Sequence, residues 1–281
     1  MREELLRRAL VAGASRAPAA VMATLPAAIG AVAWALSPVE RRGVRENLRA
    51  VLAGESRGAR LAAELRTFTS YASSLAEGVA VLADPGRRVT LEIEGRAHLD
   101  AALSDGRGVV LLTAHTTGFE LAGAALARQI DRRVAFVMAK ERDDGARGVS
   151  DALRARAGLE VLHVGADALD ALPVLRALRG GVLVGMHVDR VPAGMSASPP
   201  WLFGRPLARG PLLLASRARV GAVPVWTRRE GPFRVRICAS PAVRVGPRAT
   251  TADVDAALAQ VASSLCAWIR ADPAAWMDWR R

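Results

Sequence analysis

A repeated alternation of strand-like and helix-like segments between residues 87 and 190 constrains the fold of this chain more than any other feature. Short apolar runs such as GRGVVLLTAH and GVLVGMHVDR suit buried strands, whereas GFELAGAALARQI has apolar residues at helical spacing. Strands that alternate with helices usually form a parallel sheet that is covered on both faces. The sequence therefore predicts an α/β fold with a mixed, mostly parallel sheet flanked by helices.

The N-terminal part of the chain has a different pattern, since residues 17–36 are apolar and carry no charge. As a helix they would extend about 30 Å, roughly one hydrocarbon thickness. Alanine contributes little transfer energy and Pro18 and Pro26 are expected to interrupt the helix, so we predict helices that lie in the bilayer interface. A buried helical hairpin that caps the main domain is the alternative. The arginines expected to face lipid headgroups are Arg2, Arg7, Arg8, Arg16, Arg41, Arg42, Arg45 and Arg49.

A turn signal at Asp84, Pro85 and Gly86 separates the helical pattern from the alternating one. We therefore expect two regions: N-terminal apolar and basic helices over residues 1–85, which associate with a membrane, and an α/β domain with a C-terminal helix over residues 86–281.

Charge and composition limit the partners. A net charge of +12 suits either nucleic acid or an anionic membrane surface. The six tryptophans are scattered and not interleaved with arginines, which argues against base-stacking platforms and nucleic-acid binding. Cys238 and Cys266 lie far apart and outside any CxxC spacing, so neither a disulfide framework nor a zinc site is indicated. A reducing cytosolic location fits.

The segment TAHTTGFELAG contains the main candidate for catalysis. His115 follows a predicted strand, at the edge where chemistry collects in open α/β sheets, and Glu120 lies in the first turns of the next helix. If His115 lies in the loop, Glu120 could accept a hydrogen bond from one ring nitrogen and leave the other free to remove a proton from a hydroxyl. The alternative is a structural histidine at a strand end.

Other polar residues have less specific spacing. His187 and Asp189, two apart on a predicted strand, share one face. Nothing in their spacing specifies a metal site, and none is predicted. Arg154 and Arg156 form either a solvated helix face or a clamp for an anion. Nucleophile-elbow, Walker, dinucleotide and zincin motifs are absent from the sequence.

Taken in order, several blocks resemble the bacterial lysophospholipid acyltransferase superfamily, in the branch of lipid A late acyltransferases and phosphatidylinositol mannoside acyltransferases. The mark of this family is a histidine separated by four residues from an acid, here HTTGFE. The resemblance covers roughly residues 40–281. The other similar blocks are RRGVRENLRAVL, LRARAGLEVLHV, GVLVGMHVDR, WLFGRPLARGPLLLASRARVGAVPVWTRR and DPAAWMDWRR.

The resemblance implies a lysophospholipid acyltransferase-like fold and transfer of a fatty acyl group from acyl carrier protein or coenzyme A to a hydroxyl of a membrane lipid or glycolipid. It implies that His115 is the general base and Glu120 its orienting partner, with no metal or cofactor. The expected location is the cytoplasmic face of the inner membrane, with acyl carrier protein as a possible partner. The substrate contacts implied by the family are Arg154, Arg156, Asp189, Arg190, Phe203 and Gly204.

Three other functions remain open at this stage. A dyad that admits water would give a thioesterase or lipid hydrolase on the same fold. An acyltransferase could instead act on a soluble secondary metabolite. A membrane-binding protein without catalytic activity would use His115 and Glu120 structurally.

Overall fold

The computed structural model describes residues 11–139, 144–165, 167–192 and 194–279. Arg2, Arg7 and Arg8, which were expected to face lipid headgroups, lie outside these ranges. Residues 11–16 are helical, and the helices that follow are α1 (Ala19–Leu36), α2 (Pro38–Val51) and α3 (Arg57–Ala83).

Helix α1 leans on α3 along a narrow stripe and leaves most of its surface exposed. The contact stripe contains Met22, Pro26 and Gly30. At Gly30 an added Cβ would lie 2.6 Å from the carbonyl oxygen of Phe68, so a side chain there would force the two helices apart. The prediction that Pro26 interrupts the helix is wrong, because α1 continues through it and packing against α3 offsets the missing hydrogen bond.

The outer face of α1 is apolar and unburied. Leu25, Ile29, Val32 and Leu36 are each more than half exposed, so α1 is not part of a buried hairpin. In the described part of the chain, α1 is the one helix long and apolar enough to cross a membrane, by length and composition. The apolar N-terminal helix is therefore a candidate membrane-associating segment.

Helix α2 is amphipathic. Its inner face buries Val44, Asn47 and Leu48, while Arg42 and Arg49 are exposed. Two further arginines expected to face headgroups have another role, since Arg41 and Arg45 both bind the buried carboxylate of Glu64 on α3.

After α3 the described chain forms a seven-stranded sheet with the order β1-β7-β6-β2-β5-β3-β4. All neighbouring strands are parallel except β6 and β7, so the predicted mixed, mostly parallel sheet is confirmed. The strands are β1 (Thr90–Glu94), β2 (Val109–Thr113), β3 (Val134–Ala139), β4 (Leu159–Val164), β5 (Leu183–His187), β6 (Ala222–Gly231) and β7 (Arg234–Ala239).

Helices cover both faces of this sheet. The remaining helices are α4 (Arg96–Leu103), α5 (Phe119–Gln129), α6 (Asp144–Arg156), α7 (Ala171–Arg179), α8 (Gly210–Ala218) and α9 (Thr251–Ala271). Buried residues of α7, α8 and α9 pack with β2 and β5 on one face, and buried residues of α4, α5 and α6 form a second core on the other. Apolar runs such as VVLLT are therefore buried on both sides, as in other parallel sheets.

Two features bring the loops after β2 and β5, which carry His115 and Asp189, together at the carboxyl ends of the strands. Strands β2 and β5 are neighbours, with Thr113 opposite His187, so the loops that follow them leave the sheet side by side. After α9 the chain returns to this edge as the 273–279 segment, which pairs with the loop after β2. Thr117 N donates to Ala275 O at 2.8 Å, and Met277 N donates to His115 O at 2.7 Å.

Candidate active site

His115 binds a carboxylate from the neighbouring strand. Its Nδ1 lies 2.8 Å from Oδ1 of Asp189, and its backbone N–H donates to Oδ2 of the same carboxylate at 3.0 Å. The two residues follow β2 and β5, which are adjacent and parallel. One carboxylate therefore holds both the ring and the backbone of His115.

Asp189 is fully buried and remains ionised. Burial by itself raises the pKa of this carboxyl, but hydrogen bonding to His115 and Trp276 and the charge of His115 outweigh burial, so the pKa lies well below its usual value. The Nε1–H of Trp276, in the 273–279 segment, donates to Oδ2 at 3.0 Å. Among the described residues, the backbone and ring N–H groups of His115 and the indole N–H of Trp276 thus all donate to this carboxylate.

This arrangement selects one tautomer of His115. Because ionised Asp189 can only accept, the neutral form of His115 carries its proton on Nδ1 and keeps the lone pair on Nε2. Among the described residues none hydrogen-bonds to Nε2, and the side chain is 23% exposed. A histidine in this state can remove a proton from a group that reaches it from solvent.

The predicted pairing of His115 with Glu120 is wrong. Glu120 lies in the first turn of α5 and binds the guanidinium of Arg154, which projects from α6. Gly118, at φ +78°, ends the loop in the left-handed conformation and starts α5 in a new direction. Glu120 therefore packs beside α3, where a Cβ added at Gly78 would lie 3.2 Å from Glu120 Cβ.

Besides Glu120, Arg154 contacts a second carboxylate, on its own helix. Its Nη1 lies 4.0 Å from Asp151, whose other carboxylate oxygen is 2.7 Å from Nε2 of His163. Arg154 is 11% exposed, while Arg156 is exposed on the same helix. Of the two alternatives for this pair, a solvated helix face describes Arg156, whereas Arg154 is bound to Glu120, so the two arginines do not form one clamp in this structure.

Arg190 is fixed to the 273–279 segment. Its Nη2 donates to Met277 O at 3.1 Å, and its Nε lies 3.5 Å from the buried carboxylate of Asp278. Arg205 binds the same carboxylate at 3.0 Å, and it also donates to the Asn47 side chain of α2. This network fastens α2 to the carboxyl edge of the sheet.

Phe203 and Gly204 form the two central residues of a tight turn. Leu202 and Arg205 exchange backbone hydrogen bonds across it, and both central residues have positive φ, as a type I′ turn requires. The Phe203 ring lies 6.1 Å from the Trp276 ring. Phe203, which was expected to contact substrate, thus lies beside the tryptophan that binds Asp189, and Gly204, expected to do the same, shapes the turn that carries Phe203.

A second histidine lies against His115. The ring centroids of His187 and His115 are 4.1 Å apart with an interplanar angle of 31°. Burial, reinforced by the charge of His115, lowers the pKa of His187 to about 3, so this ring is neutral at physiological pH.

Residues of β6 hydrogen-bond to the loop that carries His115. The hydroxyls of Thr116 and Thr227 are 2.8 Å apart, and Arg229 N donates to Oγ1 of Thr117 at 3.2 Å. Arg229 also forms a bidentate ion pair with Glu77 of α3, a carboxylate with no exposed surface. Burial raises the pKa of Glu77, although Arg229 opposes this shift.

Sequence reasoning did not select Trp276 as a site residue, nor Asp189 as the partner of His115. A signal for Asp189 was present, because His187 and Asp189 were recognised as facing the same way at a strand end. Trp276 lies 161 residues after His115 and contacts the site only through tertiary structure.

Potential metal ligands and thiols also occur among the described residues. No group of three or more potential ligands among them is arranged to hold a metal ion. Cys238 and Cys266 are free, and burial raises the pKa of both thiols, in Cys238 to about 11.

Comparison with protein families gives one assignment. A family model described as bacterial lipid A biosynthesis acyltransferase matches residues 8–280. This match includes the N-terminal helices as well as the α/β domain, and therefore begins earlier than the resemblance noted from motifs. A search of curated proteins gives no significant match.

Proposed function

The chain belongs to the bacterial lipid A biosynthesis acyltransferase family, and from this premise we propose that it transfers a fatty acyl group from a thioester to a hydroxyl of a membrane lipid or glycolipid. The observation that carries the proposal is the hydrogen bond between His115 Nδ1 and buried Asp189, which leaves Nε2 free. The donor in this proposal is acyl carrier protein or coenzyme A.

In the proposed reaction, His115 Nε2 takes the proton of the acceptor hydroxyl while its oxygen attacks the thioester carbonyl carbon. The new C–O bond gives a tetrahedral oxyanion. When the C–S bond breaks, the electron pair leaves with sulfur, and His115 returns the proton to the thiolate. Asp189 stabilises the imidazolium between these steps, as an acid in a catalytic triad does.

We assign Glu120 a different role from the one implied by the family motif. Its ion pair with Arg154 is only partly buried, at 17% and 11% exposure, so an anionic group of the substrate can approach the guanidinium. Arg154 is thus the proposed contact for a substrate phosphate, with Glu120 holding it in place. Exposed Arg156 is a second, weaker candidate.

Membrane association is part of the proposal. The apolar outer face of α1 would enter the interface, and Arg42 and Arg49 of α2 would meet the headgroups on the cytoplasmic face of the inner membrane. A protein held in this way meets both a lipid acceptor and a soluble thioester donor. The positive charge of the chain also suits an acidic carrier protein.

Mass spectrometry of lipids from the native host tests the function. A deletion strain is complemented with wild type, His115→Ala, Asp189→Asn or the control His98→Ala, which changes an exposed histidine on α4. A lipid that is lost on deletion and restored by wild type and His98→Ala, but not by the two site variants, would support acyl transfer and identify the acceptor.

Purified protein provides the complementary test. Acyl thioester is supplied in detergent micelles with lipids from the deletion strain, and both acylated lipid and free fatty acid are measured. Release of fatty acid without any acylated product would replace the proposal with a thioesterase. Transfer to soluble acceptors without micelles would remove the lipid acceptor from it.

A further inference from the structure

His187 lies between two rings at the end of β5. The His115 ring packs against it at a centroid distance of 4.1 Å, and the Phe119 ring lies nearly perpendicular to it, at 5.3 Å and an interplanar angle of 84°. Its Nε2 atom is buried and has no hydrogen-bond partner in the described part of the chain. His187 therefore meets His115 through its ring face and not through a hydrogen bond.

We propose that His187 is a positioning residue that holds the imidazole plane of His115 and shields one face of that ring from water. The proposal rests on the proposed function, in which His115 is the base.

The geometry shows why His115 needs such a support. The hydrogen bond to Asp189 fixes the position of Nδ1, but a hydrogen bond bends easily, so the ring can still swing out of its plane with Nδ1 as the pivot. A flat neighbour at 4.1 Å removes this freedom on one side. Since Nε2 lies at the far side of the ring, a small tilt moves it away from the acceptor hydroxyl, and a displacement of about 1 Å can reduce a rate roughly 100-fold.

An imidazole suits this place because it packs flat and stays uncharged. Burial and the charge of His115 lower the pKa of His187 to about 3, although Asp189 acts in the opposite direction. A neutral ring beside the base allows His115 to gain a proton during the reaction, whereas a cation there would oppose it.

The test compares His187→Phe with His187→Ala, using kcat and KM for acyl transfer. Phenylalanine keeps a flat ring without nitrogens, so kcat should stay within about threefold of wild type. Alanine leaves a space beside His115, so kcat should fall about 10- to 100-fold while KM stays within about threefold. Met186→Ala is the control, because it opens a space on the opposite face of β5 and should lower Tm without lowering kcat.

A second measurement reports the tautomer and the accessibility of the His115 ring and does not depend on turnover. Nitrogen-15 NMR of labelled histidine reports the tautomer, and mass spectrometry follows the rate at which diethyl pyrocarbonate modifies His115. In all three proteins we expect the Nδ1–H tautomer that Asp189 sets, whereas the rate of modification should be the same in wild type and His187→Phe and changed in His187→Ala.

The outcomes separate this proposal from the proposed function. If no acyl transfer is found but the rate of His115 modification changes only in His187→Ala, the proposed function fails while the positioning role stands. A folded His187→Ala protein with wild-type kcat and an unchanged rate of His115 modification would overturn the positioning role. So would a His187→Phe variant as slow as His187→Ala, because His187 would then act through its nitrogens.

Discussion

Replacement of Asp189 by asparagine should leave the shape of the site unchanged and give His115 the wrong tautomer. Oδ2 of Asp189 accepts from two buried donors, the backbone N–H of His115 and Nε1 of Trp276. An asparagine that turned its NH₂ towards both would leave them unsatisfied, at a cost of about 1–3 kcal/mol each. The amide oxygen must therefore take that position, which places the NH₂ opposite Nδ1 of His115.

The consequence for His115 follows from this orientation. An NH₂ group can only donate, so Nδ1 must accept, and the proton of the neutral ring moves to Nε2. Nε2 can then no longer take a proton from the acceptor hydroxyl. The same substitution in the serine protease triad lowers kcat about 10⁴-fold, and we expect a loss of about 10³- to 10⁴-fold here, equivalent to roughly 4–5.5 kcal/mol of barrier.

Glu120→Gln is the matched control, because it also changes one carboxylate to an amide. Glutamine can still accept a hydrogen bond from Arg154 and does not touch the tautomer of His115, so we expect a loss of about tenfold or less. Both variants should be assayed for kcat in micelles and for Tm. A folded Asp189→Asn protein with more than a tenth of wild-type kcat, or a greater loss in Glu120→Gln, would refute the reasoning.

Three further changes should have distinct effects. Trp276→Phe removes one donor to the buried carboxylate and part of a buried side chain, so it should lower kcat about tenfold and also lower Tm; an unchanged kcat would show that this donor is dispensable. Because the folded-state pKa of His187 is lowered to about 3, the unfolded chain binds the extra proton, and wild type should lose stability as pH falls from about 6.5 towards 3, by at most about 1.4 kcal/mol per pH unit. The free energy of unfolding, measured with urea at pH 6.5, 5.5 and 4.5, should fall less steeply with decreasing pH in His187→Phe than in wild type. An equal dependence on pH in both proteins would count against the neutral buried ring. Gly43→Ala would place a Cβ 2.5 Å from the carbonyl oxygen of Trp279 and should cost about 1–3 kcal/mol in urea unfolding, whereas Gly148→Ala meets nothing within 4 Å and should not destabilise; equal stabilities would contradict the close contact.

Local sequence pattern predicts the strands but not the contacts between residues on different strands. Strands such as β2 and β5 could be predicted because both faces are buried and all their residues except the last, Thr113 and His187, are apolar or glycine. The partner of His115 was mistaken because Glu120 is close in sequence, whereas strand order decides contacts across the sheet. Only the adjacency of β2 and β5 brings Asp189 to His115.

The N-terminal region gives a second example. The length and apolarity of α1 were evident, but local propensity placed a break at Pro26 that packing against α3 overcomes. The role of Arg41 and Arg45 also depended on tertiary structure, because Glu64 comes to them from another helix.

The position of the 273–279 segment has a consequence for synthesis of the protein. His115 and Asp189 leave the ribosome well before Trp276, which donates to the same carboxylate. A growing chain can therefore form the sheet and still lack an ordered base. The surroundings of His115 and Asp189 described above therefore form only after nearly all of this sequence has been translated.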